Sequence, residues 1–202
     1  DHCKAASDIG LPFAAVGMLY RQGYFIQQID AHGNQIAQYN PSHFSNLPVK
    51  PATGANGECV EVSIEVPGRV IRLQVWTAQV GHITLLLLDS DLEKNSEEDR
   101  RITYQLYGGD ITNRLLQEMV LGIGGIRAKR AMGLKPTVFH INEGHAAFQV
   151  LERCRELVKE GLDFYSALEA VASNTLFTTH TPVPAGHDIF DHRLIEFYFS
   201  QY

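Results

Sequence analysis

Apolar and polar positions alternate at every second residue over Cys59–Val66, with Val60, Val62, Ile64 and Val66 on one face and Glu61, Ser63 and Glu65 on the other. That period marks a half-solvated antiparallel strand. Pro67-Gly68 turns it into Val70–Val80, where Ile71, Leu73 and Val75 alternate with Arg72, Gln74 and Trp76. His82–Asp89 carries four consecutive leucines and reads as a more deeply buried strand. Upstream, Asp1–Ile9 is a short helix closed by Gly10 and Pro12. Phe13–Leu19 is an apolar run that reads as a buried strand, and Tyr24–Ile29 is a second strand. Ala31–Ala55, rich in Gly, Asn, Pro and Ser, reads as loop. No linker flanks this β-rich material, which reads as an elaboration on a sheet.

Past Asp89 the period lengthens. Asp91–Asp99 has the composition of a solvated surface loop, Glu98–Tyr107 reads as helix, and Gly108-Gly109-Asp110 breaks it. Leu115, Leu116, Met119, Val120, Ile123 and Ile126 then recur at three- and four-residue steps, one face of a helix that Gly133 ends. Gly122, Gly124 and Gly125 lie inside that pattern and follow no strand, so they are not a dinucleotide-binding loop. Each Gly costs a helix interior about 1 kcal/mol against Ala, and close backbone packing accounts for them better. Pro136 opens a central strand that begins the stretch Val138–His145. Asn142 reads as a helix N-cap, followed by a face of Ala147, Val150, Leu151, Cys154, Leu157 and Val158. Asp163 caps a further helix with Phe164, Ala167, Leu168 and Val171 inward. Thr175–Thr179 is a last strand, stopped by Pro182 and Pro184. Helices alternating with strands predict an α/β fold with a mainly parallel sheet and a β-rich insertion.

Candidate chemistry gathers at two strand ends. Asn142, Glu143 and His145 sit where one strand stops, and His180 where another does. Consecutive strands joined by a helix are usually neighbours, which would place all four at one edge of the sheet, where ligands of open α/β folds bind. The plainer reading is a cap with a solvated Glu and His. Nine histidines invite a metal, yet His140 and His145, like His187 and His192, are five apart, and helical ligands need four. Glu143 and Asp110 satisfy a glycosidase by residue type alone. No Gly-x-Ser-x-Gly elbow is present.

Composition narrows the class. Hydrophobic residues make up 45% and charged residues 20%, as in soluble globular proteins. A net charge of −6 points away from nucleic acid and anionic membranes, and no apolar run reaches a membrane span. Cys3, Cys59 and Cys154, widely spaced, read as reduced thiols of a cytoplasmic protein. The chain starts at Asp1 without methionine and ends in an aromatic run at Tyr202, which reads as a piece of a longer protein.

Asn142-Glu-Gly-His-Ala-Ala-Phe148 and Thr178-Thr-His-Thr-Pro-Val-Pro-Ala-Gly-His-Asp188 resemble the α-glucan (glycogen and maltodextrin) phosphorylases, in particular their shorter bacterial and archaeal branch. Ser7-Asp-Ile-Gly-Leu-Pro12, Gly17-Met-Leu-Tyr-Arg-Gln-Gly-Tyr-Phe25, Leu106-Tyr-Gly-Gly-Asp110 through Gln117-Glu118, and Leu121-Gly-Ile-Gly-Gly-Ile-Arg127 fit in the same order.

The resemblance implies an internal part of the N-terminal half, from one of two facing Rossmann-like domains of a GT-B glycosyltransferase. Residues 1–202 would be a partial N-terminal domain, truncated at both ends. The implied reaction is phosphorolysis of a terminal α-1,4-linked glucose by inorganic phosphate, giving glucose 1-phosphate with retention. The phosphate of pyridoxal phosphate acts as acid through the substrate phosphate, and its lysine lies outside this chain; Lys4, Lys50, Lys94, Lys129, Lys135 and Lys159 do not match that context. His180 matches the histidine beside the reacting glucose, with its imidazole on a sugar hydroxyl and its carbonyl facing the anomeric carbon. Glu143 and His145 match acceptor-glucan subsites. Tyr107, Asp110 and Arg114 match the loop that gates the cleft, which is shorter here. Partners would be α-glucan, phosphate and glucose 1-phosphate, with a homo-oligomer left open. A silent glucan-binding module on this scaffold and a sugar-nucleotide glycosyltransferase are the alternatives.

Overall fold

The period-two stretch becomes the body of the molecule. The computed structural model describes residues 1–202 apart from the side chain of Ala185. Helix α1 (His2–Asp8) leads into β1 (Ala14–Met18), and β2 (Ile26–Ile29) and β3 (Gln35–Gln38) form an exposed hairpin. β4 (Val49–Pro51), β5 (Glu61–Val66), β6 (Arg69–Val80) and β7 (Ile83–Asp89) follow. These four and β1 make a five-stranded sheet in the order β1-β7-β6-β4, with β5 also on β6.

The sheet is mixed, not mainly parallel. β1 runs parallel to β7, whereas β6 is antiparallel to β4, β5 and β7. The turns decide this. Val66 pairs with Arg69 across Pro67-Gly68, and Val80 with Ile83 across Gly81-His82, so two residues reverse the chain each time. Gly68 and Gly81 supply the positive φ that such turns demand, at 75° and 58°. Parallel pairing needs a long crossover, and within this sheet only β1 and β7 are paired that way. The β-rich stretch is therefore the sheet itself rather than an insertion.

Local expectations are corrected on the same grounds. β1 is an edge strand, so it alternates between exposed and half-buried positions instead of being buried. The expected loop Ala31–Ala55 contains β3 and β4. Glu98–Tyr107 holds only the end of one helical turn, α2 (Glu97–Arg100). Asp99 is buried against Arg69, at 3.0 Å, not solvated.

One long helix covers the sheet. α3 (Ile111–Met119) passes through a π-helical turn, Val120–Gly124, into α4 (Gly125–Ala131). Leu115, Met119, Val120 and Ile123 bury fully against Ile64, Ile71, Leu73, Val75, Leu86 and Leu88. The glycines are there for close approach. A Cβ on Gly122 would stand 2.8 Å from the backbone nitrogen of Gln149, and one on Gly124 2.7 Å from Leu73.

The rest of the chain is β8 (Phe139–Asn142), α5 (Gln149–Lys159), α6 (Phe164–Ser173), β9 (Thr175–Thr178) and α7 (His192–Phe199). β8 pairs with β9 in a separate two-stranded parallel sheet, so the expected central strand is not central among the described residues. Asp163 caps α6 as expected, accepting from the Tyr165 and Ser166 amides. Ala167 and Val171 face inward while Phe164 and Leu168 stay exposed. In α5, Cys154 is buried, but Leu151 and Val158 are exposed, and Glu152 and Arg153 take their place inside.

Glu152 explains this inversion. Its carboxylate accepts from Arg127 at 2.8 Å, from Arg155 at 2.6 Å and from the Tyr202 hydroxyl. Burial opposes its ionisation, but the Arg155, Arg127 and Tyr202 hydrogen bonds win and hold its pKa down to about 2. Removing one member of such a pair strands the others in the interior.

Two outcomes are expected in denaturant unfolding. Glu152→Ala loses roughly 3–5 kcal/mol. The stability this carboxylate gives wild type is in place above its unfolded pKa, near 4.5, and is lost as the pH falls toward 2; the variant lacks that loss. Gly122→Ala, despite a better helix propensity, is destabilised by about 1–3 kcal/mol, because the added methyl overlaps the start of α5.

Candidate functional site

β8 and β9 end side by side. Asn142 lies opposite Thr178, so both segments leave the pair at its carboxyl edge. Asn142 closes a strand and does not cap a helix: a 3-10 turn, Gly144–Ala146, intervenes before α5. The cause is Glu143, with φ 61° and ψ −167°. That region is essentially confined to glycine and persists for other residues only where surroundings enforce it.

Hydrogen bonds around Glu143 enforce it. The Glu143 amide donates to the Thr178 carbonyl at 2.8 Å, extending the β8–β9 pairing by one step. Its carboxylate, buried in the turn, accepts from the His180 amide at 2.8 Å, the Thr181 amide at 2.8 Å, the Thr181 hydroxyl at 2.8 Å and the Thr179 hydroxyl at 3.2 Å. The His180 amide and the Thr181 hydroxyl hold its pKa down to about 2, with the Thr181 amide and Thr179 hydroxyl adding to them against some desolvation. The Glu143 carboxylate is therefore engaged with its own protein.

His180 is exposed, with its ring beside the same residues. Nδ1 stands 3.3 Å from Glu143 Oε1, and Nε2 lies 3.2 Å from Asn142 Oδ1. A neutral imidazole can donate to one of these at a time, a protonated one to both. Among the described residues nothing donates to the His180 carbonyl.

One residue beyond Glu143 and Gly144, His145 lines a cavity of about 290 Å3 with Met18, Tyr20, Tyr107, Arg114, Glu118 and Asp188. The Tyr107 ring lies 6.2 Å from that of His145, and the Arg114 guanidinium 5.8 Å from the Tyr107 ring. Tyr107 is the other non-glycine residue with positive φ, 57°. Arg114 grips Asp188 through both carboxylate oxygens, at 2.9 and 2.5 Å. Asp110 stands apart. It caps α3 by accepting from the Asn113 amide at 2.9 Å and borders a wider, more open groove of about 800 Å3 with Glu97, Tyr104 and Gln105.

Glu118 and Asp188 join the cavity beside the residues that the sequence pointed to. Glu118 follows Arg114 by four residues, which puts both on one helix face, a signal that was available. Asp188 reaches the cavity only through the fold. Glu118 is buried, and among the described residues no donor bonds its carboxylate; Nδ1 of His145 is 3.9 Å away. Burial and the neighbouring Asp188 charge push its pKa up to about 7, against the pull of Arg114. Glu118, His145 and Asp188 bring atoms of metal-ligand type within 4.8 Å of one another. The Arg114 guanidinium, bound across both oxygens of Asp188, already supplies the positive charge there.

The sign of the Glu118 effect is testable. With the folded pKa raised, the protonated carboxyl favours the folded state; that stability is full below the unfolded pKa, near 4.5, and is lost as pH rises through about 7. Glu118→Gln, a permanent neutral mimic, should therefore exceed wild type in stability at pH 8 by on the order of 2 kcal/mol, with the difference vanishing near pH 5. Denaturant melts at both pH values check it.

No family model matches the chain. It is 49% identical over 205 residues to a glycogen phosphorylase of Mycobacterium tuberculosis, an alignment covering 98% of this chain and 24% of that protein. A maltodextrin phosphorylase of Thermococcus litoralis is 45% identical over 193 residues, 94% of this chain and 23% of its own length. A glycogen phosphorylase of Aquifex aeolicus is 34% identical over 196 residues, 97% of this chain and 28% of its own. The chain spans about a quarter of the length of these relatives. Over nearly all of its residues, then, this chain matches a fragment of the glycogen and maltodextrin phosphorylase family.

Proposed function

We propose that the protein carrying this chain is an α-1,4-glucan phosphorylase of the cytoplasm. It would release the terminal glucose of glycogen or maltodextrin as glucose 1-phosphate, with inorganic phosphate as co-substrate and with retention. This chain would be part of the N-terminal domain of a two-domain GT-B enzyme. The observation that supports this reading best is the corner at the ends of β8 and β9. There the His180 backbone is held by Glu143 and its ring lies beside Asn142, with no donor to its carbonyl among the described residues, in a chain 45–49% identical to named phosphorylases.

The reaction breaks the bond between the anomeric carbon and the glycosidic oxygen, bonds that carbon to a phosphate oxygen, and leaves a proton on the departing glucan hydroxyl. Positive charge grows at the anomeric carbon on the way. An unpaired carbonyl aimed at that carbon stabilises the charge, and a fixed dipole needs no reorganisation as it forms. The His180 imidazole takes a sugar hydroxyl on its exposed Nε2 side, in exchange for Asn142. His145, Tyr107 and Arg114 line the acceptor side, where an aromatic ring and a guanidinium suit a glucan face and its hydroxyls. Asp110, at the head of α3, sets where the gating loop ends.

Pyridoxal phosphate, which the resemblance implies, has no seat among these residues. Lys129 is buried, and its Nζ lacks a hydrogen-bond partner, lying 5.2 Å from the centre of the Phe139 ring. Burial lowers its pKa to about 8, assisted by Arg130. It borders neither cavity, and nor does any other lysine among the described residues. The residues present do not fit the cofactor, so its site would lie elsewhere in the protein.

Maltodextrin and phosphate given to the full-length protein should yield glucose 1-phosphate, which a coupled assay detects; hydrolysis to free glucose would defeat the reading. In that protein, His180→Ala should lower kcat/KM tenfold to a few hundredfold, about 1–3 kcal/mol, with cofactor content unchanged. It should also lose discrimination against a deoxy donor lacking the contacted hydroxyl.

A further inference from the structure

We infer that Glu143 is a positioning residue that aims and polarises the backbone carbonyl of His180, rather than a direct contact for glucan. This rests on the function proposed above. The His180 carbonyl and the Thr181 amide belong to one peptide unit. That unit is planar and trans, so its C=O and N–H point in opposite directions. Glu143 Oε1 holds the Thr181 N–H at 2.8 Å. Fixing that N–H fixes the carbonyl on the far side of the plane, away from Glu143, where nothing in the described chain donates to it. The His180 N–H, at 2.8 Å from the same oxygen, anchors the preceding peptide, so both planes around the His180 Cα are set by one atom.

The charge of Glu143 adds a second effect. A hydrogen bond from an amide to an ionised acceptor is stronger than a neutral one. Hydrogen bonds along a chain of groups also polarise one another. A carboxylate on the N–H end of a peptide therefore shifts electron density toward the carbonyl oxygen at the other end. That oxygen becomes a better partner for positive charge at the anomeric carbon than an ordinary backbone carbonyl. Two independent facts agree with this role. The carboxylate is buried and receives four hydrogen bonds, which leaves it poorly placed for a sugar. Glu143 also holds φ at 61°, a conformation that other side chains rarely adopt and that turns its carboxylate back beneath the 179–181 loop.

The test uses the full-length holoenzyme, with glucan and phosphate varied independently and melting temperature and cofactor content measured for each variant. Glu143→Gln keeps an acceptor oxygen and removes the charge; it should lower kcat ten- to a hundredfold with glucan KM within about twofold of wild type. Glu143→Asp keeps the charge and should recover most of that loss. Ile71→Val and Val75→Ala, both in the sheet core, leave Glu143 and the 179–181 loop untouched. They should lower the melting temperature or leave it unchanged while kcat stays within threefold. A rise in glucan KM at wild-type kcat in Glu143→Gln overturns the inference in favour of a direct glucan contact. A kcat that follows melting temperature across all four variants overturns it in favour of a purely structural role. Should Glu143→Gln fail to fold, Glu143→Asp and the two core variants decide by the same criteria. A wild-type enzyme without phosphorolysis would bring down the proposed function and this inference together, whereas an active wild type with an unaffected Glu143→Gln removes this inference alone.

Discussion

The carboxylate of Glu143 joins two segments that are 36 to 38 residues apart in the chain, and the candidate site depends on that join. β8 and β9 are four residues each and pair only with one another among the described residues. So short a parallel pair has few ladder hydrogen bonds of its own. The four bonds to Glu143 extend the connection past the strand ends and into the loop that carries His180. Because the acceptor is ionised and the donors include two backbone amides, the geometry of residues 179–181 follows from one side chain.

The same economy governs the body of the fold. The helix from Ile111 to Ala131 lies close to the sheet because two of its residues, Gly124 and Gly125, have no side chain to keep it away. Gly122 lets the first turn of α5 approach within contact of the helix backbone, and α5 in turn carries Glu152 into the interior. There Arg127 from the long helix, Arg155 from α5 and Tyr202 from the far end of the chain meet one carboxylate. The corner that holds Glu143 and His145 is thus tied to the sheet through backbone packing on one side and a buried charge cluster on the other.

Charge in the cavity is set by placement more than by composition. Two carboxylates, Glu118 and Asp188, face one guanidinium, that of Arg114. Arg114 satisfies Asp188 with two hydrogen bonds and leaves Glu118 with none, so the burial cost falls on Glu118. The contrast with Glu143 and Glu152 is instructive. All three glutamates are buried, and the two that receive hydrogen bonds stay ionised while the one without takes up a proton near neutral pH.

Several features were already legible along the chain. The alternation over Cys59–Val66 and Val70–Val80 specified antiparallel strands, because a period of two admits no other regular structure with one wet face. The helical face from Leu115 to Ile126, the glycine run within it and the Asp163 cap were local facts that the fold preserved. The adjacency of Asn142–Glu143 to His180 followed from two strands joined by helices. Only tertiary structure decided the rest. Nothing local says that β1 lies at an edge, that Leu151 is exposed while Glu152 is buried, or that Asp188 returns to Arg114 across 74 residues. Those outcomes depend on which partners fill the space opposite each side chain. Asn142 has the sequence of an N-cap, yet the partners of Glu143 stabilise a backbone twist that ends the strand there instead. Hydrophobic pattern and turn chemistry act between near neighbours and can be read along the chain; the balance of desolvation against distant donors cannot.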